Sequence, residues 1–264
     1  MPLGTFSRRW LLSLALAAAC GRAARNTSTA TNPGGRRKLP TDPANAGLAV
    51  RPRKPSLPAP PGLTSFGLTP GSRDALLYVP PSYVPERPHP LLLLLHGARG
   101  GAQGIIVHMT ALADALGIII LAPNSRGGTW DAALGTFGPD VMAIDEALDW
   151  TYERCAVDRK HVAIGGFSDG ASYALSVGLA NGELFTHVLA FSPGFMEPPV
   201  LVGRPRIFVS HGTRDQILAI DATSRIFVPK LRGARYGVRY REFEGPHTVP
   251  QDIAQEALGW FTGA

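Results

Sequence analysis

Two unbroken apolar runs constrain the fold of this chain more than any other feature of its sequence. Residues 91–95 are all leucine and stop at His96-Gly97, and residues 118–122 are equally apolar and stop at Pro123. Short runs of this kind, without alternating polar residues, are typical of strands that are buried on both faces. A sheet with two buried faces needs helices on both sides, so the runs predict an α/β protein.

The rest of the chain alternates between strand-like and helix-like segments. Strands are predicted at residues 74–79, 91–95, 118–122, 161–165, 187–191, 206–210 and 238–243. Helices are predicted at residues 103–116, 139–155, 171–180 and 252–261. This order predicts a doubly wound, mostly parallel sheet. Ligands of such sheets bind beyond the carboxyl ends of the strands, so the chemistry is expected in the loops that follow strands.

One of these loops contains a serine between glycines. The segment Gly166-Phe167-Ser168-Asp169-Gly170 fits the pattern G-x-S-x-G and joins the strand at 161–165 directly to the helix at 171–180. A nucleophile elbow requires this strand–turn–helix setting, because a sharp turn must present the serine hydroxyl to the substrate. A glycine-rich turn with a capping serine is the alternative interpretation. Ser168 is therefore a candidate nucleophile.

A serine nucleophile needs a base, and the base needs a third group that orients it. Asp215 follows the strand at 206–210, and His247 follows the last predicted strand. The resulting order Ser, Asp, His is the order that accompanies the elbow motif. Two alternatives stay open: Asp215 could be a turn-forming residue, with Asp221 as its nearest competitor, and His247 could be an exposed loop residue.

Acyl transfer also needs two backbone N–H groups that face the developing oxyanion. One is expected from Asp169, the residue after the candidate nucleophile, at a helix N-terminus. The other is expected from the loop after residues 91–95, where Ala98 is the best-placed donor. We interpret His96 as structural, because it ends a buried strand.

Together these motifs resemble the α/β-hydrolase superfamily, and within it the phospholipase/carboxylesterase and polyhydroxybutyrate-depolymerase-like esterases. The resemblance extends from about Leu63 to Phe261 and rests on Leu94-Leu95-His96-Gly97, Gly166–Gly170, His211-Gly212-Thr213-Arg214-Asp215 and Gly245-Pro246-His247.

The resemblance implies a catalytic domain over residues 62–264 with a serine triad and an oxyanion hole. The triad would be Ser168, Asp215 and His247, and the oxyanion hole would be formed at Ala98 and Asp169. Asp169 departs from the pattern, because family members often carry glutamine there, so the pocket floor is not matched to one subfamily.

Two further features bear on the substrate. Trp130 lies in the loop after residues 118–122 and is expected to border the site, although a ring that fixes its own loop is an equal alternative. Only about a dozen residues separate the strands at 187–191 and 206–210, where many α/β hydrolases insert a helical lid. We therefore expect no large lid, and a short groove that prefers esters of short acyl or small aryl groups.

The expected function is that of a serine esterase that acts on a small-molecule ester through an acyl-enzyme. A serine peptidase or amidase is the alternative, because esters and amides share acylation chemistry. A non-catalytic binding protein is a second alternative, since a fold does not fix a function. No cofactor or metal is expected, and the oligomeric state stays open.

The charge distribution argues against a nucleic-acid partner. The chain has a net charge of +6, but residues 1–61 hold ten lysines and arginines against one acid. Of 26 basic and 20 acidic side chains, 16 and 19 therefore remain in residues 62–264. A nucleic-acid-binding domain needs its basic residues on the folded surface, and here that part is mildly acidic.

Residues 1–20 have the layout of an export signal. A basic start is followed by an apolar run at 10–19 that is too short to span a bilayer, and Arg8-Arg9 resembles a twin-arginine signal. Cys20 follows three alanines, so it is either the lipidated first residue of a lipoprotein or a relic of ordinary cleavage. We expect a periplasmic or extracellular protein, with a membrane tether if Cys20 is lipidated.

Residues 21–61 hold few large apolar side chains and many prolines, so they are expected to form a disordered tether. The predicted helix at 139–155 has one acidic side, which we interpret as a solvated face. Its apolar stripe ends at Cys155, an expected buried thiol. The chain has two cysteines, so neither a disulfide scaffold nor a cysteine-rich zinc site is expected.

Overall fold

The computed structural model describes residues 41–67 and 74–264. The predicted signal at 1–20, Cys20 and the first half of the predicted tether lie outside the described residues. Within the described part, none of the helices is both long enough and apolar enough to span a membrane.

Eight strands of the described chain form one sheet, in the spatial order β1-β2-β4-β3-β5-β6-β7-β8. They are β1 (Gly62–Ser65), β2 (Leu76–Val79), β3 (His89–Leu95), β4 (Ile119–Ala122), β5 (Val157–Phe167), β6 (His187–Phe191), β7 (Arg206–Gly212) and β8 (Val238–Phe243). Strands β3 to β8 pair in parallel, whereas β1 and β2 are antiparallel. The predicted doubly wound, mostly parallel sheet is confirmed.

The helices cover both faces of this sheet. They are α1 (Ala102–Ile106), α2 (Thr110–Leu116), α3 (Pro139–Arg154), α4 (Asp169–Ala180), α5 (Ser224–Gly233) and α6 (Gln251–Thr262). Helices α1, α2 and α6 contribute to one hydrophobic core, and α3, α4 and α5 contribute to the other. Because successive residues of a strand face opposite ways, β3 serves both cores: Leu91, Leu93 and Leu95 on one side, Leu92 and Leu94 on the other.

Several element boundaries differ from the sequence-based prediction. The helix predicted at 103–116 is two short helices, α1 and α2. Strand β5 begins at Val157, before the predicted start at His161, and neither β1 nor α5 was predicted. Between Phe191 and Arg206 the chain forms no helix or strand, so the predicted absence of a large lid at this position is confirmed.

The predicted tether is wrong from residue 41 onward, because residues 41–61 pack against the folded domain. Ala46, Leu48 and Val50 are buried in the core on the α3–α4 side. The Asn181 side chain at the end of α4 accepts a hydrogen bond from the Leu48 N–H at 2.8 Å and donates one to the Ala46 carbonyl at 2.7 Å. A few well-placed apolar residues therefore order a segment whose average composition indicates disorder.

Helix α3 provides the second set of contacts for this segment. The carboxylate of Asp145 accepts hydrogen bonds from the backbone N–H groups of Ala49 and Val50, at 2.8 and 3.1 Å. Asp149 forms an ion pair with Arg53 at 2.7 Å. The acidic side of α3 is therefore partly covered rather than a fully solvated face.

Candidate active site

Ser168 lies at the sharp turn between β5 and α4. Its backbone has φ 57° and ψ −119°, a left-handed conformation that non-glycine residues rarely adopt. The turn brings strand and helix so close that a Cβ on Gly166 would lie 2.5 Å from Gly170, and one on Gly170 would lie 2.3 Å from the Leu95 carbonyl. Only glycine fits at these two positions, which explains their spacing around the serine.

The structure brings Ser168, His247 and Asp215 together. His247 Nε2 lies 2.8 Å from Ser168 Oγ, and His247 Nδ1 lies 2.5 Å from Asp215 Oδ2. Nδ1–H therefore donates to the carboxylate, which leaves Nε2 to accept the serine proton. The competitor Asp221 pairs with Arg225 at 2.8 Å on the exposed surface instead.

Asp215 is a buried carboxylate whose ionised form is held by hydrogen bonds. Burial disfavours its charge, but the N–H groups of Leu218 and Ile217 and the ring of His247 donate to it. These donors outweigh burial and hold the pKa of Asp215 below its ordinary value. Asp215 is therefore an anion that can orient and stabilise a protonated His247.

A second histidine contacts the same carboxylate, and sequence reasoning did not assign it a role. His211 Nε2 lies 2.8 Å from the Leu218 carbonyl and 3.1 Å from Asp215 Oδ2, and its Nδ1 lies 2.7 Å from Ser224 Oγ. The ring is fully buried, and burial lowers its pKa, so Nε2–H donates while Nδ1 accepts from Ser224. Its place four residues before Asp215 was visible in the sequence.

The two expected oxyanion donors lie in the loops after β3 and β5. The backbone N–H of Asp169 is at the N-terminus of α4, where the helix dipole favours an anion. Ala98 is exposed at the mouth of a pocket. Among the hydrogen bonds of the described residues, neither N–H has an acceptor.

A pocket of about 520 Å³ adjoins His247 and the Ala98 loop. It lies between the loop after β3, helix α1 with the turn that follows it, and the start of α6. Its walls include the apolar side chains Ile105, Met109, Phe167 and Val249, with the polar side chains His108 and Gln251 also lining it.

Comparisons with known proteins give relatives by sequence and by structure. No protein-family profile matches the chain. A probable feruloyl esterase C of Aspergillus flavus is 27% identical over 158 residues, which cover 56% of this chain and 57% of the relative. The chain thus spans little more than half the length of the curated relatives it matches.

Two solved structures illustrate the likeness in fold. A phospholipase/carboxylesterase from Dyadobacter fermentans superposes with a TM-score of 0.57 at 20% identity, covering 72% of this chain and 96% of the other. A ferulic acid esterase from Anaeromyces mucronatus, solved with ferulic acid, gives a TM-score of 0.54 at 17% identity, covering 74% and 87%. The chain has the α/β-hydrolase fold. The resemblance inferred from its four motifs is confirmed at this level.

Trp130 does not border the pocket, contrary to expectation. Its ring is fully buried, stacks on Tyr173 at 5.1 Å between ring centroids, and donates from Nε1 to the His96 carbonyl at 2.8 Å. The indole fixes the loop after β4 against the loop after β3, which is the alternative role. Sequence position indicates the correct loop but not the direction of the side chain.

The side chain of Asp169 also helps to fix the loop after β4. Its Oδ2 accepts hydrogen bonds from the Trp130 N–H at 3.0 Å and from the Thr129 hydroxyl. The ring of His96 accepts from the Ser125 N–H at 3.1 Å, which fits the structural role expected for it. Both loops of the expected oxyanion hole are therefore held by one network.

The described residues include neither a candidate metal site nor a reactive thiol. No group of three or more histidine, cysteine or acidic side chains has the arrangement of a metal site within residues 41–67 and 74–264. Cys155 is a buried free thiol, and burial raises its pKa to about 12, so it is an unreactive core residue.

Proposed function

We propose that this protein is a serine hydrolase that cleaves carboxylic esters through an acyl-enzyme on Ser168. The observation that carries the proposal is the continuous hydrogen-bonded line from Ser168 Oγ through the ring of His247 to Asp215 Oδ2. It occurs at a strained elbow that presents the hydroxyl beside a pocket.

In the acylation step, His247 Nε2 removes the Ser168 proton as Oγ attacks the ester carbonyl. The negative charge that develops on the carbonyl oxygen is stabilised by the N–H groups of Ala98 and Asp169. His247 then donates the proton to the departing alcohol. The anionic Asp215 favours the imidazolium that exists between these two transfers.

In the deacylation step, His247 Nε2 removes a proton from water as its oxygen attacks the acyl carbonyl, and His247 then returns that proton to Ser168 Oγ as the bond from Oγ to the acyl carbon breaks. The same two N–H groups bind the oxyanion again. Every proton is thus moved by one ring, and no cofactor enters either step.

We propose esters of short acyl or small aryl groups as the substrates. The pocket is largely apolar and of limited volume, which suits one compact apolar group. Relatives named as feruloyl esterases, and a similar structure solved with ferulic acid, support an aromatic acyl group in particular.

Substitutions of the three residues test the proposal on 4-nitrophenyl esters. Ser168→Ala and His247→Ala should each lower kcat by several orders of magnitude, and the double variant should be scarcely slower, because the residues act as a unit. Asp215→Asn should also be severely slow, whereas the matched Asp221→Asn should keep full activity. Wild-type rates in Ser168→Ala, or aminoacyl anilides cleaved in preference to every ester, would contradict the esterase proposal.

We also propose that the chain is exported, with residues 1–20 as the signal and Cys20 as a lipid anchor or a cleavage relic. The support is the order of basic, apolar and small residues in the sequence. The mass of the mature N-terminal peptide distinguishes a diacylglyceryl-modified Cys20 from an unmodified terminus. A mature protein that keeps Met1 would contradict export through this signal.

A further inference from the structure

The pocket wall contains one glycine that the fold itself does not require. Gly104 is the middle residue of α1 and lines the pocket. Its φ is not positive, so any L-residue could adopt its backbone conformation. A Cβ placed on it would meet no heavy atom within 4 Å. Glycine is nevertheless unfavourable inside a helix, because it loses more backbone entropy on folding than other residues.

Neighbouring glycines of the same pocket have a structural explanation. A Cβ on Gly100 would lie 2.9 Å from the Gly97 carbonyl, and one on Gly101 would lie 3.1 Å from Asn124 Oδ1. Gly104 lacks any such neighbour. Gly104 is exposed and lines the pocket, so a side chain there would occupy space that is now open at the pocket wall.

A side chain at position 104 would extend into this space. His108, two residues after the end of α1, also lines the pocket. Phe167 at the end of β5 and Val249 in the loop before α6 also line the pocket. Any group bound between these walls would compete with a side chain at 104 for volume.

We propose that Gly104 determines the size of the acyl group that the pocket accepts, and that it admits aromatic acyl groups larger than acetyl. The inference rests on the proposed acylation of Ser168. The acyl group, unlike the alcohol, stays attached to Ser168 through both steps, so a pocket that holds it assists both. The apolar walls match an aromatic ring.

The test compares two esters that share one leaving group, 4-nitrophenyl acetate and 4-nitrophenyl 3-phenylpropanoate. Gly104→Leu should lower kcat/KM for the phenylpropanoate at least about tenfold while changing that for the acetate by less than about twofold. Gly104→Ala should have a smaller effect in the same direction. Gly233→Leu is the matched control, since Gly233 lies in α5, also has no heavy atom within 4 Å of a Cβ, and does not line the pocket.

The ratio of the two rates within one variant cancels any difference in the fraction of folded enzyme. A ratio in Gly104→Leu equal to that of wild type and Gly233→Leu would overturn the inference. So would an effect that follows the alcohol instead, seen with acetates of increasingly bulky alcohols. Failure of the proposed function looks different: neither ester would be hydrolysed in a Ser168-dependent way by the wild type.

Discussion

His211 Nε2–H lies near two acceptors, the Leu218 carbonyl at 2.8 Å and Asp215 Oδ2 at 3.1 Å. If the Nε2–H of His211 partly offsets the negative charge of Asp215, removal of the His211 ring should strengthen the interaction of Asp215 with the protonated ring of His247. We therefore predict that His211→Phe moves the acidic limb of the kcat/KM profile to higher pH. His211→Gln, which keeps an N–H donor, should restore the limb toward that of wild type.

Both variants change His211 alone. They keep Asp215, His247 and Glu242 of β8, whose backbone lies opposite that of His211 in the sheet. A purely structural role for His211 would lower the folded fraction and kcat without moving the limb. An unmoved limb in a folded His211→Phe enzyme would therefore refute this role.

A pH-dependent stability is expected at another buried histidine, His187 of β6. Its Nε2 has no hydrogen-bond partner among the described residues, and its ring packs edge-on against Trp260 and Phe261. Burial lowers its pKa from 6.5 to about 4. The unfolded chain therefore takes up a proton that the folded chain does not, so stability falls as pH decreases from 6.5 toward 4.

The loss should reach at most about 3 kcal/mol, from a shift of this size. We predict that His187→Leu removes this part of the pH dependence when urea unfolding is compared at pH 7 and pH 4.5. His108→Leu, at an exposed histidine, is the control and should retain it. Equal losses in wild type and His187→Leu would contradict the assignment.

The three triad candidates could be predicted from the sequence because each lies in the loop after a strand, where the topology brings side chains together. It did not predict the burial of Trp130 or the contact of His211 with Asp215. Both depend on how a loop turns after its strand, and that is decided by tertiary packing. Backbone position was thus predictable, and side-chain direction was not.

Among the elements, the segment at 41–61 is the one whose sequence was most misleading. Its order depends on its buried apolar residues and on two polar side chains, Asn181 and Asp145, which supply partners for the backbone of the segment. Both are distant in sequence, so no local pattern shows them. The strands of the sheet, by contrast, show their burial directly in their apolar runs.

Loss of the Asn181 side chain should release this segment in part. Asn181→Ala leaves the Leu48 N–H and the Ala46 carbonyl without their partners in a buried setting. We predict a destabilisation of about 2–3 kcal/mol in urea unfolding. Limited proteolysis should then cut within residues 41–61 faster than in wild type. Cleavage there at the same rate in wild type would contradict a packed segment.

At the scale of the whole molecule, the short connection between β6 and β7 determines how the site meets its substrate. With no helical cover at this position, the pocket is open in the folded protein. We predict simple saturation kinetics with short esters and no rise in rate when a substrate passes its micelle threshold. A jump at that threshold would indicate a cover that opens at an interface.

The central claim is that Ser168 is the nucleophile of a serine hydrolase, and covalent labelling tests it most directly. A fluorophosphonate reacts with an activated serine, and peptide mass spectrometry locates the adduct. The account predicts one adduct, on the peptide that contains Ser168, absent from Ser168→Ala and from denatured protein, and formed far more slowly in His247→Ala. An adduct that persists in Ser168→Ala, or one found on another serine of the folded protein, would contradict it.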